Sequence, residues 1–107
     1  MIIIKTLPSW NKETNKDIFN NEGPTGSDYV HPLSKGGSPT IDNMQILSMV
    51  SNDEKLNKKK GIINNVRFSF QSYLDKNQYF VGTMYIQNEE CDPLKDEWIR
   101  VTKVKEL

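Results

Sequence analysis

The last part of the chain alternates apolar and polar residues with a period of two. The pattern is clearest in "NVRFSF", where Val66, Phe68 and Phe70 alternate with Arg67 and Ser69. The stretches "QYFVGTMYI" and "EWIRVTKV" are also rich in β-branched and aromatic residues. This pattern predicts three strands, antiparallel to one another, with the aromatic stripe in the core. Turns are predicted near residues 75–77 and over residues 89–96, which are mostly polar.

The N-terminal part has a less regular pattern. The stretch "IIIKTL" predicts a short strand that Pro8 ends, and we expect it to join the edge of the C-terminal sheet. The polar stretch "NKETNKDIFNNEG" predicts a short helix over residues 12–19, which Gly23-Pro24 would end.

The middle of the chain predicts a strand, a turn, a second strand and a helix. The two strands are "DYVHPL" and "IDNMQIL". Between them, "SKGGSPT" predicts a turn, because glycine supplies positive φ and proline fixes the exit. Ser51 with Glu54 three residues later is typical of a helix N-terminus, and Gly61 is a common helix stop. We therefore expect a helix over residues 52–60.

Composition limits the classes of function. The 107 residues are enough for one domain, and with 14 basic and 14 acidic residues the net charge is near zero. Any nucleic-acid-binding surface must then come from local segregation of charge, and Lys58-Lys59-Lys60 next to Lys55 is the one basic cluster. The single cysteine, Cys91, excludes an intramolecular disulfide framework and a zinc site built from several cysteines.

The N-terminal segment and the amino-acid composition suggest where the protein is located and what kind of genome encodes it. The N-terminal run of isoleucines is too short for a signal peptide or a membrane span, so we expect a cytoplasmic protein with no membrane partner. The chain lacks alanine and is rich in Asn, Lys and Ile, a bias typical of an AT-rich genome such as that of a phage or a low-GC bacterium.

The stretch "DYVHPLSKGG", residues 28–37, with Asn43 and Asn52 beyond it, resembles the HNH endonuclease family. That family has an Asp-His pair before a Pro, a "plSkGG" loop, an Asn near the next strand, and a His or Asn at the start of a helix. The separations from Tyr29 to Asn43 (14) and from Asn43 to Asn52 (9) match its common spacing. The resemblance implies an α+β fold, with a ββα-metal unit over residues 27–61 of a single domain. An N-terminal strand and a C-terminal antiparallel β-sheet extension over residues 62–107 would complete it.

The resemblance also implies site residues for phosphodiester hydrolysis. Asp28 and Asn52 would supply oxygen ligands to one Mg²⁺ or Mn²⁺ ion, and Asn43 would brace the loop that orients the catalytic residue. Ser48 and Ser51 stand where zinc-knuckle members carry a Cys-x-x-Cys pair, so no structural zinc is expected. The expected contacts to DNA phosphates are all lysines: Lys35, Lys55, Lys58, Lys59 and Lys60.

The chain departs from the family at Tyr29, where the family has its catalytic histidine. A tyrosine, with an unperturbed pKa of about 10, is a poor base at neutral pH. Three alternatives stay open. Tyr29 acts as base or nucleophile, as in a restriction-enzyme branch of the superfamily. Alternatively, His31 serves from the same side of the strand, displaced by about 6–7 Å along the chain, or the site is inactive and the scaffold only binds.

Two functions follow from these alternatives. The first is a small HNH-like, metal-dependent DNA endonuclease or nickase, encoded by a phage or mobile element. The second is a catalytically degenerate HNH-like scaffold that binds DNA, or that binds a protein such as a host defence nuclease, as a CRISPR nuclease inhibitor would. Trp10 and Trp98 are expected to pack in the core or at an edge and not to contact bases.

Overall fold

The computed structural model describes residues 1–106, which form a mostly β structure with 47% of residues in strands and 18% in helices. The strands are β1 (Ile2–Pro8), β2 (Trp10–Asn11), β3 (Lys16–Asp17), β4 (Thr25–Tyr29), β5 (Met44–Ser48), β6 (Lys60–Ile63), β7 (Val66–Leu74), β8 (Phe80–Gln87) and β9 (Glu97–Thr102). The α-helix of this part of the chain is α1 (Met49–Lys55). Single 3-10 turns lie at Leu33–Lys35, Ile41–Asn43, Pro93–Lys95 and Val104–Glu106.

A five-stranded sheet in the order β1-β9-β8-β7-β6 forms the framework. Strands β6, β7, β8 and β9 pair antiparallel with one another, while β1 runs parallel to β9. The three predicted C-terminal strands are confirmed, and so is the position of "IIIKTL" at the sheet edge. The predicted turn near residue 75 is also confirmed, because Asp75 Oδ1 accepts hydrogen bonds from the amides of Asn77 and Tyr79, both at 2.9 Å.

One face of this sheet carries the core. The period-two aromatic residues Phe68 and Phe70 are buried, as the alternation predicts. They pack with Met84 and Ile86 of β8, and the core extends to Val30, just after β4, and to Leu47 of β5. The opposite face of the five-stranded sheet is more exposed.

The expected α+β fold built on a ββα-metal unit is wrong. Strands β4 and β5 do pair antiparallel and α1 follows them, but this segment is a minor part of a mostly β structure built on the five-stranded mixed sheet. The physical reason lies in strand pairing that is distant in sequence. Because β1 pairs with β9, the sheet is a mixed framework that includes both ends of the chain and not an extension added to a small metal-binding unit.

The predicted helix over residues 52–60 begins too late and ends too late. Its N-cap is Ser48, whose hydroxyl oxygen accepts from the Ser51 amide at 3.2 Å, and the helix has seven residues. The chain leaves the helix at Leu56 with a φ of 47°. The basic residues that follow then enter β6, where Lys60 pairs with Ser69 of β7. The lysine cluster is thus not the end of a helix.

The predicted helix over residues 12–19 is also wrong, since the hairpin β2–β3 occupies that segment. Short polar side chains hold the backbone in turns there. Asn11 Oδ1 accepts from the Glu13 amide at 2.9 Å, and Asp17 Oδ1 accepts from the Phe19 amide at 2.9 Å. Such bonds compete with helical ones, which is why Asn and Asp are unfavourable inside helices. None of the helices within residues 1–106 has the length and apolarity needed to cross a membrane.

Candidate functional site

Asn43 holds together the loop that joins β4 to β5. Its side chain is fully buried, and its amide nitrogen donates to the carbonyls of His31 (2.9 Å) and Ser38 (3.0 Å). Its amide oxygen accepts from the backbone amides of His31 (3.0 Å) and Gly82 (2.9 Å). The Asn43 side chain therefore fixes both ends of the "HPLSKGGS" loop and fastens that loop to strand β8.

The loop also depends on a close backbone approach at Gly37. A Cβ atom at this position would lie 1.9 Å from the His31 carbonyl oxygen, a distance at which atoms overlap. Gly37 is therefore needed for packing of the loop, whether or not the protein is an enzyme.

Asp28 and Lys55 form a buried ion pair beneath this loop. The Lys55 ammonium lies 3.2 Å from Asp28 Oδ2, and the two side chains are 0% and 6% exposed. The same ammonium donates to the carbonyl oxygens of Tyr29 (3.4 Å) and Val30 (3.3 Å), and it lies 5.7 Å from the centre of the Phe70 ring. The Lys55 side chain thus extends from α1 and places its ammonium group against the Asp28 carboxylate on β4.

A third side chain completes the surroundings of Asp28. Gln45 is fully buried, and its Nε2 donates to Asp28 Oδ2 at 2.9 Å. The Gln45 amide oxygen has no hydrogen-bond partner in the described part of the chain. The Asp28 carboxylate is therefore satisfied on both oxygens by side chains of the protein.

Burial dominates the titration of this pair. It raises the pKa of Asp28 above its ordinary value, and the charge of Lys55 and the hydrogen bonds from Gln45 and Lys55 act against that rise. It lowers the pKa of Lys55, and the negative charge of Asp28 opposes that fall. The negative charge of Asp28 and the positive charge of Lys55 each favour the ionised form of the other side chain, against the effect of burial.

The residues expected to hold a divalent ion do not fit one in this arrangement. An Mg²⁺ ion needs several oxygen ligands, of which carboxylates are the strongest. The Asp28 carboxylate already binds an ammonium, and a second cation beside Lys55 Nζ would be repelled. Within residues 1–106, no three His, Cys, Asp or Glu side chains are grouped so as to hold a metal ion.

The second expected ligand, Asn52, lies on α1 beside β4. Its side-chain nitrogen donates to the Ser27 carbonyl at 3.5 Å, a long bond between the helix and the strand. Tyr29 is half-buried on β4, and its side chain points to the opposite face of the strand from Asp28, because neighbouring residues of a strand alternate. The structure therefore does not direct the Tyr29 hydroxyl at the Asp28 carboxylate.

His31 connects the loop to the β7–β8 hairpin. Its Nε2 lies 3.0 Å from the Lys35 carbonyl oxygen and its Nδ1 lies 2.8 Å from Ser72 Oγ. A carbonyl can only accept, so in the neutral ring Nε2 carries the proton and Nδ1 accepts from Ser72. The ring also stacks on Phe80, with centroids 4.7 Å apart, and meets the edge of Phe70 at 5.4 Å. Both nitrogens of His31 thus have partners within the protein.

The expected phosphate-binding lysines separate into two groups. Lys55 is buried in the ion pair described above, so it is not available to a phosphate. Lys35 is exposed at the end of the first 3-10 turn, and Lys58, Lys59 and Lys60 are exposed between α1 and β7. Sequence reasoning missed the role of Lys55, which is the last residue of α1 and lies three residues after Asn52.

Comparison of the chain with protein-family models, with curated proteins and with solved structures gave no match. The resemblance to HNH endonucleases therefore stays a prediction that depends on the motif alone.

Proposed function

We propose that this chain is a DNA-binding module that does not cut DNA. One observation carries the proposal: the Lys55 ammonium lies 3.2 Å from the carboxylate of Asp28, the residue on which a catalytic metal would depend. The endonuclease expected from the motif is the alternative that this geometry favours less.

The chemistry explains why this contact matters. Metal-assisted phosphodiester hydrolysis uses an ion that activates water and stabilises the charge that develops on the phosphate. A lysine ammonium bound to the same carboxylate neutralises it but offers no open coordination position for water or phosphate. Asp28 and Lys55 are instead arranged as a structural pair that fastens α1 to β4.

The DNA-binding part of the proposal comes from the segment Lys58–Lys60. All three side chains are exposed, and none makes an ion pair with another residue of the described range 1–106. Unpaired lysines close together release counterions from DNA when they bind phosphates, and this supplies most sequence-independent affinity. Arg67, exposed on β7 beside this segment, adds a further cation.

Binding of fluorescent DNA followed by anisotropy tests this proposal. Replacing Lys58, Lys59 and Lys60 together by Gln should weaken binding and flatten its salt dependence. Each lost phosphate contact reduces the slope of log K against log salt by about 0.9 on duplex DNA. The matched control replaces three exposed lysines elsewhere and changes the net charge equally: Lys12, Lys76 and Lys95, each to Gln.

The control variant should bind like the parent protein, and DNA recovered after incubation with Mg²⁺ should be intact. Equal loss in both triple variants would show that only net charge matters and would remove the role of the 58–60 segment. No binding by the parent at low salt would reject DNA as the ligand.

A protein partner is the second candidate function, and one observation favours it. Strand β1 lies at the edge of the sheet, and Ile2, Ile3 and Ile4 are 57%, 44% and 44% exposed. An apolar edge strand can pair with a strand of another protein.

If that partner is a defence nuclease, the purified chain should slow target cutting by a purified RNA-guided nuclease. The variant Ile3→Lys should relieve the inhibition, and an unchanged rate with the parent chain would reject this candidate.

A further inference from the structure

The five-stranded sheet has a second face opposite the main core, on which Val81 and Gln87 of β8 are buried but most other strand residues are at least partly exposed. Because side chains alternate along a strand, the residues between the buried Phe68, Phe70, Met84, Ile86 and Ile99 lie on the opposite face. The strand register places one row of them across all five strands. This row consists of Lys60, Ser69, Tyr85, Arg100 and Thr6. We call this surface the open face.

Charge is segregated on the open face although the whole chain is neutral. The positions that alternate with the core residues include the cations Lys60, Arg67 and Arg100, and they include no Asp or Glu. Arg100 is paired with Glu106 at 2.8 Å, while Lys60 and Arg67 have no ion pair among residues 1–106. Asp96, next to Trp98, is paired with the N-terminal ammonium at 3.1 Å. Lys60 and Arg67 are therefore the charges available to an anionic ligand on this face.

A groove lies between these cations and an aromatic side chain. It has a volume of about 510 Å³ and is lined by Lys60, Gly61, Ile62, Arg67, Phe68, Ser69 and Trp98. Strand β8 lies between β7 and β9, so the Trp98 indole extends across β8 to reach the groove. Its Nε1 donates to Asp96 Oδ1 at 2.7 Å, which holds the ring in one orientation. Trp98 is half-exposed on this face and lies outside the buried core, whereas the sequence predicted packing in the core or at an edge.

We propose that this groove binds single-stranded nucleic acid, with a base stacked on Trp98 and phosphates at Lys60 and Arg67. The inference rests on the proposed function, to which it adds that the nucleic acid is single-stranded and that it binds in this groove. Unpaired bases expose flat faces that stack on aromatic side chains, whereas a duplex hides those faces in its own stack. Cations beside the ring then contact the backbone that connects stacked bases. Tyr85, half-exposed in the centre of the open face, is in position to contact a neighbouring nucleotide.

Oligonucleotide binding by the full chain tests the proposal. The probes are fluorescein-labelled oligothymidylate and oligouridylate of about 12 nucleotides, near the site size of small single-strand binders, and a duplex of the same length. We expect both single strands to bind more tightly than the duplex, and Trp98→Leu to weaken single-strand binding roughly tenfold or more. Trp98→Phe, which keeps a stacking ring, should retain most of the affinity. In a Trp10→Phe background, Trp98 is the only tryptophan, and its fluorescence should be quenched as the strand binds.

The possible outcomes separate this inference from the proposed function. If the duplex binds as tightly as the single strands and Trp98→Leu changes nothing, the groove is not the site, while DNA binding through the 58–60 segment stands. If no probe binds the parent chain at low salt, both are rejected. If Trp98→Leu and Trp98→Phe lose affinity equally, with circular dichroism spectra like the parent, stacking is rejected.

Discussion

Replacing Lys55 by Met removes a buried charge and keeps most of the side-chain volume. In the parent protein the ammonium contacts Asp28 and two backbone carbonyls, with no part of the side chain exposed. Breaking a buried ion pair from one side costs about 3–5 kcal/mol, because the remaining charge has no partner. A chain of this length has a total free energy of unfolding of roughly 5–15 kcal/mol. Lys55→Met is therefore expected to lose a large fraction of the stability, and Asp28→Asn a similar amount.

A double-mutant cycle measured by urea denaturation isolates the interaction. In Asp28→Asn/Lys55→Met neither charge is buried, so we expect the double variant to be more stable than the sum of the single losses predicts, by about 2–3 kcal/mol. The free energy of unfolding of all four proteins at pH 7 gives this coupling directly.

The two single variants should depend on pH in opposite directions, because each leaves a different charge buried without its partner. In Lys55→Met the pKa of Asp28, already raised by burial, rises further, so the folded state holds the proton more tightly than the unfolded state. This variant should be closest to the parent below pH of about 4 and should lose stability as the pH rises through the raised pKa. In Asp28→Asn the pKa of Lys55 falls further, so this variant should gain stability as the pH rises toward about 10.4.

Single losses of less than about 1 kcal/mol, with additive effects in the double variant, would show that the two side chains are solvated in solution. The reasoning that Lys55 blocks the Asp28 carboxylate would then be refuted.

Three further variants test the packing of the loop and the helix by thermal denaturation. Asn43→Ala removes the partner of four buried or partly buried backbone groups and should cost at least about 3 kcal/mol; a loss below about 1 kcal/mol would show that water replaces the side chain. Gly37→Ala places a Cβ against a backbone carbonyl and should destabilise far more than Gly23→Ala, which meets no atom within 4 Å and is strained only by its φ of 111°; equal losses would contradict the close approach. Ser48→Ala removes the N-cap of α1 and should cost about 1 kcal/mol, while no change in melting temperature would place the cap elsewhere.

Local patterns predicted the C-terminal sheet because its strands pair with neighbours in sequence. The alternation around Phe68 and Phe70 predicted which face of β7 is buried, and the polar residues near Asp75 predicted the turn between β7 and β8. The edge position of β1 was also predicted, although its parallel direction relative to β9 was not. Parallel pairing between the two ends of a chain depends on packing across the whole molecule, which local patterns do not encode.

The candidate site was predicted by residue type but not by arrangement. The resemblance to HNH nucleases implied that Asn43 braces the loop, and its amide group does bond backbone donors and acceptors at both ends of that loop. The partner of Asp28 could not be predicted, because a lysine on a polar helix is ordinarily expected to be exposed. The direction of the Lys55 side chain depends on where α1 packs, and that is a property of the folded chain.

Incubation of supercoiled plasmid with the purified parent protein, Tyr29→His and Asp28→Ala, each with Mg²⁺, Mn²⁺ or EDTA, tests the central claim most directly. We predict that the parent retards the plasmid on a gel but leaves it supercoiled once the protein is digested. Tyr29→His should behave in the same way, because restoring a histidine does not free the Asp28 carboxylate from Lys55. Metal-dependent nicking by the parent, lost with EDTA and in Asp28→Ala, would contradict the claim and establish the chain as a nuclease.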